Sequence, residues 1–564
     1  MALLASGSLT TELNAGTWTP LNNQPTFLAG ANFQMLLTDG SIIVLNSFSN
    51  SDGSLSGTFP DVWKLTPDAF GSYVNGTWTQ LASFPMIPAH INWPIQYASR
   101  TAPNAPNQTQ YAPLYFASAV LPDGRVIFAG GEGNGPNGDF VLTNMVAIYD
   151  PVTNTWTPVN PPPFVIDQYP PRAAFAPNAI GDSASAILED GTFFLAPKMS
   201  NQAALLDPKT LTWTEVGTST NPGMNNEQNL TLLPSGKVLT TECYNGQFFA
   251  PEIYGPAPPI ADMVNSLLYD PKTTTWSGAG STIVPLTDPD LGEVGPAILR
   301  PDGKVVVFSG TFTGHNVLFD SKTATWSVTT PFPVGPGNEG QLTAVDTPAA
   351  LLPNGNVLVL AGSYGFLPPI HFFEFTYDTL ELIEQSNIPG AKNIPPFAGN
   401  MLILPNGQIM LTTATTDVEI YTPSDRSYNP AWAPGIRCSP KKVRPGKTYK
   451  IEGIRFNGMS QGAALGDDYQ PSTNYPLVRI TSNATGHVFY CRTHDHSFMG
   501  VASNEKVSTY FDVPANIESG ESKLEVVANG IPSKPKSIYV RSSYRDGEDD
   551  DHCLDLKPLK TVRR

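Results

Sequence analysis

The chain has 564 residues and a formal net charge of −17, from 32 basic and 49 acidic side chains. Only 14% of residues are charged while Pro (55) and Gly (48) are abundant, and long exposed helices need many Lys, Glu and Arg, so bundles, coiled coils and α-solenoids are excluded. With 40% hydrophobic and 10% aromatic residues a large core can form, which excludes global disorder. The acidic balance disfavours nucleic acid and anionic membrane surfaces as partners. No apolar run approaches the roughly 18 residues of a membrane span, so membrane insertion is not expected. The start, Met-Ala-Leu-Leu-Ala-Ser, lacks the basic region and apolar length of a signal peptide. Cys243, Cys438, Cys491 and Cys553 are too scattered for a disulfide framework or a CxxC zinc site; free buried thiols are expected, with one bridge as the alternative.

The first expected strand is GTWTPLNN at 16–23, which stands alone. From residue 27 onward an apolar run, a turn with glycine and a second apolar run recur seven times. They read LLTDGSIIVL, VLPDGRVIFAGG, ILEDGTFFLA, LLPSGKVLTT, LRPDGKVVVFSG, LLPNGNVLVLAG and ILPNGQIMLTT. Their glycines are Gly40, Gly124, Gly191, Gly236, Gly303, Gly355 and Gly407, spaced 45 to 84 residues apart. Asp-Gly and Asn-Gly between apolar runs predict hairpins with type I′ turns. A second hairpin follows most of them: IYDPVTNTWTPV, LLDPKTLTWTEV, LYDPKTTTWSGA and LFDSKTATWSVT. An aromatic or Leu precedes Trp by seven residues, as in Tyr149 and Trp156, Leu206 and Trp213, Tyr269 and Trp276, and Phe319 and Trp326. Each unit is therefore a four-stranded antiparallel sheet, and the spacing fits a propeller blade with variable loops. Blade one is looser, with Leu65 before Trp78, and in blade six Leu382 and its neighbours replace the Trp strand after Tyr377. The isolated fragment at 16–23 then closes the ring by completing the seventh sheet, leaving no long exposed edges. The repeated Trp positions are expected in the blade core.

Beyond residue 430 short alternating strands appear in PKKVRPGKTYKIEGIRF, YPLVRITS, GHVFYCRT, STYFDVP and SKLEVVANG. They predict an immunoglobulin-like β-sandwich at 434–541. The expected division is thus a seven-bladed propeller at 16–430, with 16–23 its closing strand, then the sandwich. A tail at 542–564 carries RDGEDDD without periodicity and is expected to be disordered.

The LPDGRVIFAGG and YDPVTNTW elements resemble kelch repeats. Seven of them, closed by an N-terminal strand and followed by an immunoglobulin-like domain, resemble the galactose oxidase and glyoxal oxidase family over residues 16–541. GDDYQPSTNYPLVRIT, RTHDHSFMGVAS and VVANGIPS resemble the end domain of that family. The resemblance implies a secreted or cell-surface setting, though the residues leave the compartment open. It also implies a copper ion and a cross-linked tyrosyl radical at the axis. The corresponding slots hold Tyr115 for the cross-linking Cys, Asp182 for the Tyr, and Phe397 and Ala398 for a Tyr-His pair. Only His494 matches, so copper-radical oxidase chemistry is not expected.

The slots nine or ten residues before the turn glycines hold Asp182, Glu227, Glu293 and Asp346 in four neighbouring blades. The family's end domain sends a hairpin toward the axis, and the resemblance puts His494, Asp495 and His496 there. In a strand the two imidazoles share a face. Carboxylates and imidazoles together suit a divalent cation, calcium or a transition metal, or acid/base pairs. The bland alternative is that each Asp or Glu caps a loop and that His-x-His is structural. No P-loop, GxGxxG, HExxH or GxSxG is present. The favoured reading is a binding protein for a glycan, small-molecule or protein ligand. It would use Tyr115, Asp182, Glu227, Glu293 and Asp346, with His494 and His496 as metal ligands. Tyr- and Asn-rich insertions at 92–113 and 243–262 support it, because loops this long are usually functional. The alternative is a copper-independent hydrolase or lyase using the axial carboxylates with His494.

Overall fold

A computed structural model describes residues 15–49, 55–88, 108–134, 139–140, 143–163, 180–196, 202–217, 228–244, 256, 258–287, 292–466 and 468–541. Seven antiparallel sheets follow one another round a ring. Their innermost strands are Ala31–Leu36, Ala117–Val120, Ser185–Ile187, Thr231–Leu232, Ala297–Leu299, Pro348–Leu351 and Asn400–Ile403. Those strands are wholly buried, because each is flanked by neighbouring blades on both faces. The seventh sheet is completed by Thr17–Pro20, which pairs with Glu419–Thr422, Trp18 opposite Tyr421. The ring is therefore closed by its first strand, as the isolated 16–23 fragment predicts.

The hairpin turns differ from the expected type. Only the glycine has positive φ, between 76° and 91° in all seven. Its amide donates three residues back, Gly40 to Leu37 and Gly124 to Leu121, for example. This is a type I turn closed by a left-handed glycine, the three-residue hairpin form. In six of the seven turns the residue before glycine is Asp or Asn, Ser235 taking the place in blade four, and this has a separate reason. The Asp or Asn Oδ1 accepts the amide two residues on, at Ser41, Arg125, Thr192, Lys304, Asn356 and Gln408. That side-chain bond fixes the turn without left-handed backbone at the Asp or Asn itself.

The tryptophans of the fourth strands do more than fill the blades. Each pairs across its hairpin with the predicted partner, Tyr149 opposite Trp156 and Tyr269 opposite Trp276, for instance. Each indole N–H also donates to a carbonyl of the preceding blade or its exit: Trp78 to Asn23, Trp156 to Ala82, Trp213 to Asn160, Trp276 to Gly217 and Trp326 to Ala279. Trp18 does the same with Ser386. The amphipathic indole packs its ring and satisfies its polar atom at once. Blade six lacks a Trp, and Arg300 of blade five ties it instead. Its Nη2 donates to the Tyr377 carbonyl at 2.6 Å while the guanidinium lies over the Phe375 and Tyr377 rings.

The end domain is one hydrogen-bonded path of strands that folds back on itself. Strand Val488–His494 pairs through Val488–Cys491 with Leu477–Ser482 and through Arg492–His494 with Val507–Asp512. The two halves of the curled sheet enclose Val443, Ile451, Val478, Phe511 and Val526. The domain sits on the turn end of the ring: Thr493 donates its amide to Thr38, and His496 to Pro122. Cys243 and Cys491 are buried and outside any disulfide, whereas Cys438 is disulfide-bonded to a residue outside those described. The tail at 542–564 also lies outside them.

Candidate functional site at the axial mouth

The end domain does send a segment up the ring axis, and its described residues are 460–466 and 468–475. Strand Ala463–Leu465 adds to the inner edge of blade six, Ala463 opposite Ala350 and Leu465 opposite Pro348. Gln461 Oε1 accepts the amide of Leu232 on the inner strand of blade four at 2.8 Å. Gly466 then donates to Thr347 and the chain turns back, Leu465 donating to Tyr469. On the return, Thr473 donates to Gln461 and the Tyr475 hydroxyl to the Leu36 carbonyl. Asn529 clamps the base of this plug. Its Oδ1 accepts from Met459 and Ser460, and its Nδ2 donates to the Ser460 carbonyl and Thr473 Oγ1, at 2.9 to 3.3 Å.

The tip of the plug meets the loops that enter the inner strands. Tyr469 is 1% exposed. Its hydroxyl accepts the Tyr115 amide at 3.0 Å, and the two rings stack with centroids 6.1 Å apart. Phe33 and Phe116 pack on the other sides of Tyr469. Burial raises the Tyr115 hydroxyl well above its ordinary pKa, with Tyr469, Asp346, Asp468 and Glu132 adding to the rise. Burial and Asp468 raise Tyr469 likewise. Both phenols therefore stay protonated and remain hydrogen-bond donors at any physiological pH. Asp346 reaches the plug: a Cβ added at Gly466 would lie 2.7 Å from its Oδ1. Tyr115 and Asp346 occupy equivalent slots, and both have left-handed backbone, φ 49° and 46°. Non-glycine residues held there cost of order 1–3 kcal/mol and cluster at functional sites.

The expected site residues divide. Tyr115 and Asp346 come together at the mouth, joined by Asp468 and Tyr469 from the plug. Asp182 is buried at the entry to blade three, and Glu293 is half-buried at the entry to blade five. Glu227 lies outside the described residues, as do most of the insertion at 92–113 and about half of that at 243–262. Phe397, in the copper family's Tyr slot, packs edge-on against Phe366, and Ala398 is buried.

His494 and His496 are at the other end of the ring. Tyr115 precedes the inner strand of blade two, whereas Pro122, which accepts the His496 amide, follows it. The strand also ends at His494, and Asp495 turns left-handed with φ 51°. The imidazoles consequently do not share a strand face. His494 bonds Asp495 through Nδ1 and Asp512 through Nε2, at 2.8 and 3.3 Å. His496 bonds Thr509 at 2.9 Å. Among the described residues no group of three or more His, Cys, Asp or Glu is placed to hold a metal ion. Asp468 and Tyr469 stand in the GDDYQPSTNYPLVRIT stretch that resembles the family's end domain, but nothing periodic marks them as site residues. Their signal is the pair of glycines, Gly462 and Gly466, both at positive φ, that bracket a short strand between two turns.

These features define a seven-bladed β-propeller whose axis is filled by a segment of the following domain. No known family's sequence profile matches the chain, and no curated protein is significantly similar to it. Among solved structures it is similar to the extracellular domain of a B. thetaiotaomicron protein described as a hybrid two component system, at 11% identity and a TM-score of 0.43. That match covers 94% of this chain and 59% of the other, so the chain spans less than two thirds of that relative's length. It is also similar to YjhT, at 14% identity and a TM-score of 0.34, over 72% of this chain and 98% of the other.

Proposed function

We propose that this protein is a ligand-binding propeller whose site is the axial mouth, and that the ligand is a polar or cationic molecule such as a glycan. The observation that carries the reading is the convergence of Tyr115 and Asp346 from the ring with Asp468 and Tyr469 from the plug. Carboxylates accept from ligand hydroxyls and attract positive charge, and the buried Tyr115–Tyr469 stack beneath holds ring and plug in register at the mouth. That combination suits a sugar ring or an organic cation. A divalent cation held by Asp346 and Asp468 belongs to the same proposal, because hard cations take carboxylate oxygens. The kelch-type hairpins make a galactose-oxidase-like lineage our reading of the ring, without its copper-radical chemistry, since Phe397 and Ala398 offer no ligand atom. A hydrolase or lyase using the axial carboxylates with His494 would need that imidazole beside them, whereas it bonds Asp495 and Asp512 at the other end of the ring.

The test is a glycan array together with calorimetric titration of calcium chloride and zinc chloride. Wild type is compared with Asp346→Asn, Tyr469→Phe and His494→Ala. Saturable binding of at least one probe is expected, weakened about tenfold or more by the first two variants, near 1.4 kcal/mol, and unchanged by the third. Binding that survives Asp346→Asn and Tyr469→Phe intact would refute the mouth as the site.

A further inference from the structure

The end domain carries a basic seam. The stretch 434–447 holds five cations and no acid, and 531–541 holds three cations and no acid. In a chain of net charge −17 that is a marked concentration of positive charge. The fold sets the two stretches side by side. Strand Lys442–Val443 pairs in parallel with Lys536–Val540, Lys442 opposite Tyr539. The carbonyls of Lys441 and Val443 accept the amides of Tyr539 and Arg541. Lys442–Val443 is the last strand of the domain's curled sheet and Gly435–Cys438 the first, so the chain from Cys438 to Lys442 crosses between the sheet's two ends. Lys441, Lys442, Lys534 and Lys536 are exposed along it.

The same seam holds a covalent link. Of the four cysteines, Cys243 and Cys491 are outside any disulfide and Cys438 is in one. Its partner within the chain can only be Cys553. Residues 542–552 separate Arg541 from Cys553, and they include Asp546, Glu548, Asp549, Asp550 and Asp551 against one cation, Arg545. Fully extended, that length of chain would reach about 40 Å. Cys438 lies five residues before Val443, which is bonded to Arg541, and so is no more than about 18 Å from it. A bridge to Cys438 thus loops the acidic run back over the seam.

We propose that the tail is an acidic strap, pinned at Arg541 by the sheet and at Cys438 by a bridge to Cys553, and that it occupies the basic seam of its own end domain. The occupant follows from the charges: the strap brings five carboxylates to a seam that has none. Exposed ion pairs are individually weak, but a short tether raises the local concentration of strap to the order of millimolar, so the tail outcompetes a free polyanion. The strap also covers the edge strand Lys442–Val443, whose open backbone groups would otherwise offer a template for another chain. Such a bridge persists in oxidising surroundings.

The test uses the full chain, purified without reductant. A peptide map is expected to contain a cross-linked species joining Cys438 to Cys553, split by tris(2-carboxyethyl)phosphine, with Cys243 and Cys491 alkylated only after unfolding. Seating of the strap is read separately, from the rate at which N-hydroxysuccinimidyl acetate acetylates the lysines. Wild type is compared with Cys553→Ser and with a triple variant, Asp549→Asn, Asp550→Asn and Asp551→Asn, which keeps the bridge. Lys441, Lys442 and Lys536 should react about threefold faster in both variants, as for loss of exposed ion pairs. Lys322, at a turn of blade five, should not change. Salt at about 1 M, where the screening length falls to about 3 Å, should erase the difference between wild type and the triple variant. If Cys553→Ser does not fold, the triple variant still decides. The proposal fails if no Cys438–Cys553 peptide is found or if the seam lysines react equally in wild type and the triple variant. It also fails if immobilised heparin retains wild type as strongly as the triple variant, since the seam would then be open to an external polyanion.

Discussion

Glu419 shows how a single buried carboxyl sets a pH dependence. It lies in the closing sheet, opposite Leu411 and Pro20, and is 3% exposed. Its Oε2 has no hydrogen-bond partner among the described residues. Burial, with a smaller push from Asp417, raises its pKa from 4.5 to about 7. Between those values the folded carboxyl keeps a proton that the unfolded one has released. The unfolded state then binds fewer protons, so stability falls as pH rises through this window. Glu419→Gln is expected to remove that slope. Urea midpoints should match wild type near pH 4.5 and exceed it above about pH 7. A variant less stable than wild type at the higher pH would show that the charged form is the one the fold favours.

The turns and the tryptophans act at the level of the blade. The turn glycines are legible in sequence because left-handed backbone is nearly a glycine property. The turn type was not legible, because Asp-Gly serves both I′ hairpins and the observed form. What decides between them is whether the Asp accepts a backbone amide two residues on, a bond visible only in three dimensions. The Trp period gave the hairpin pairing, but the indole N–H bonds to the preceding blade depend on how blades are set against each other. Trp213→Phe isolates that bond. It keeps an aromatic ring against Phe193 and removes the donation to Asn160, 2.7 Å long. A loss of about 1 kcal/mol is expected in denaturant unfolding. An unchanged midpoint would mean the inter-blade bond contributes nothing beyond packing.

The plug couples ring and end domain into one unit. Asn529 alone bonds Met459, Ser460 and Thr473 at its base, and Gln461 extends the coupling to blade four. Asn529→Ala leaves several buried groups without partners and should cost about 2–4 kcal/mol. Wild type should melt in one calorimetric transition, and the variant should split it or lower it. Two separate transitions in wild type would contradict the coupling.

At this scale the division between sequence and structure is clear. The all-β class, seven blades, closure by the strand at Thr17–Pro20 and a separate β domain after residue 430 were all written in local pattern: period-two apolar runs, turn residues at fixed offsets and a repeat that can be counted. The mouth was legible only on the ring side, where Tyr115 and Asp346 occupy countable slots before a turn glycine. Its other half, Asp468 and Tyr469, comes from a segment about 120 residues further along the chain than Asp346, with no period linking the two. His494 and His496 were expected at the mouth and lie by Pro122 instead, because Asp495 ends their strand with left-handed backbone. Local sequence determines which strands and turns form, since those depend on near neighbours. Only tertiary packing decided which segment fills the axis, since that depends on shape and on hydrogen bonds between residues distant in the chain.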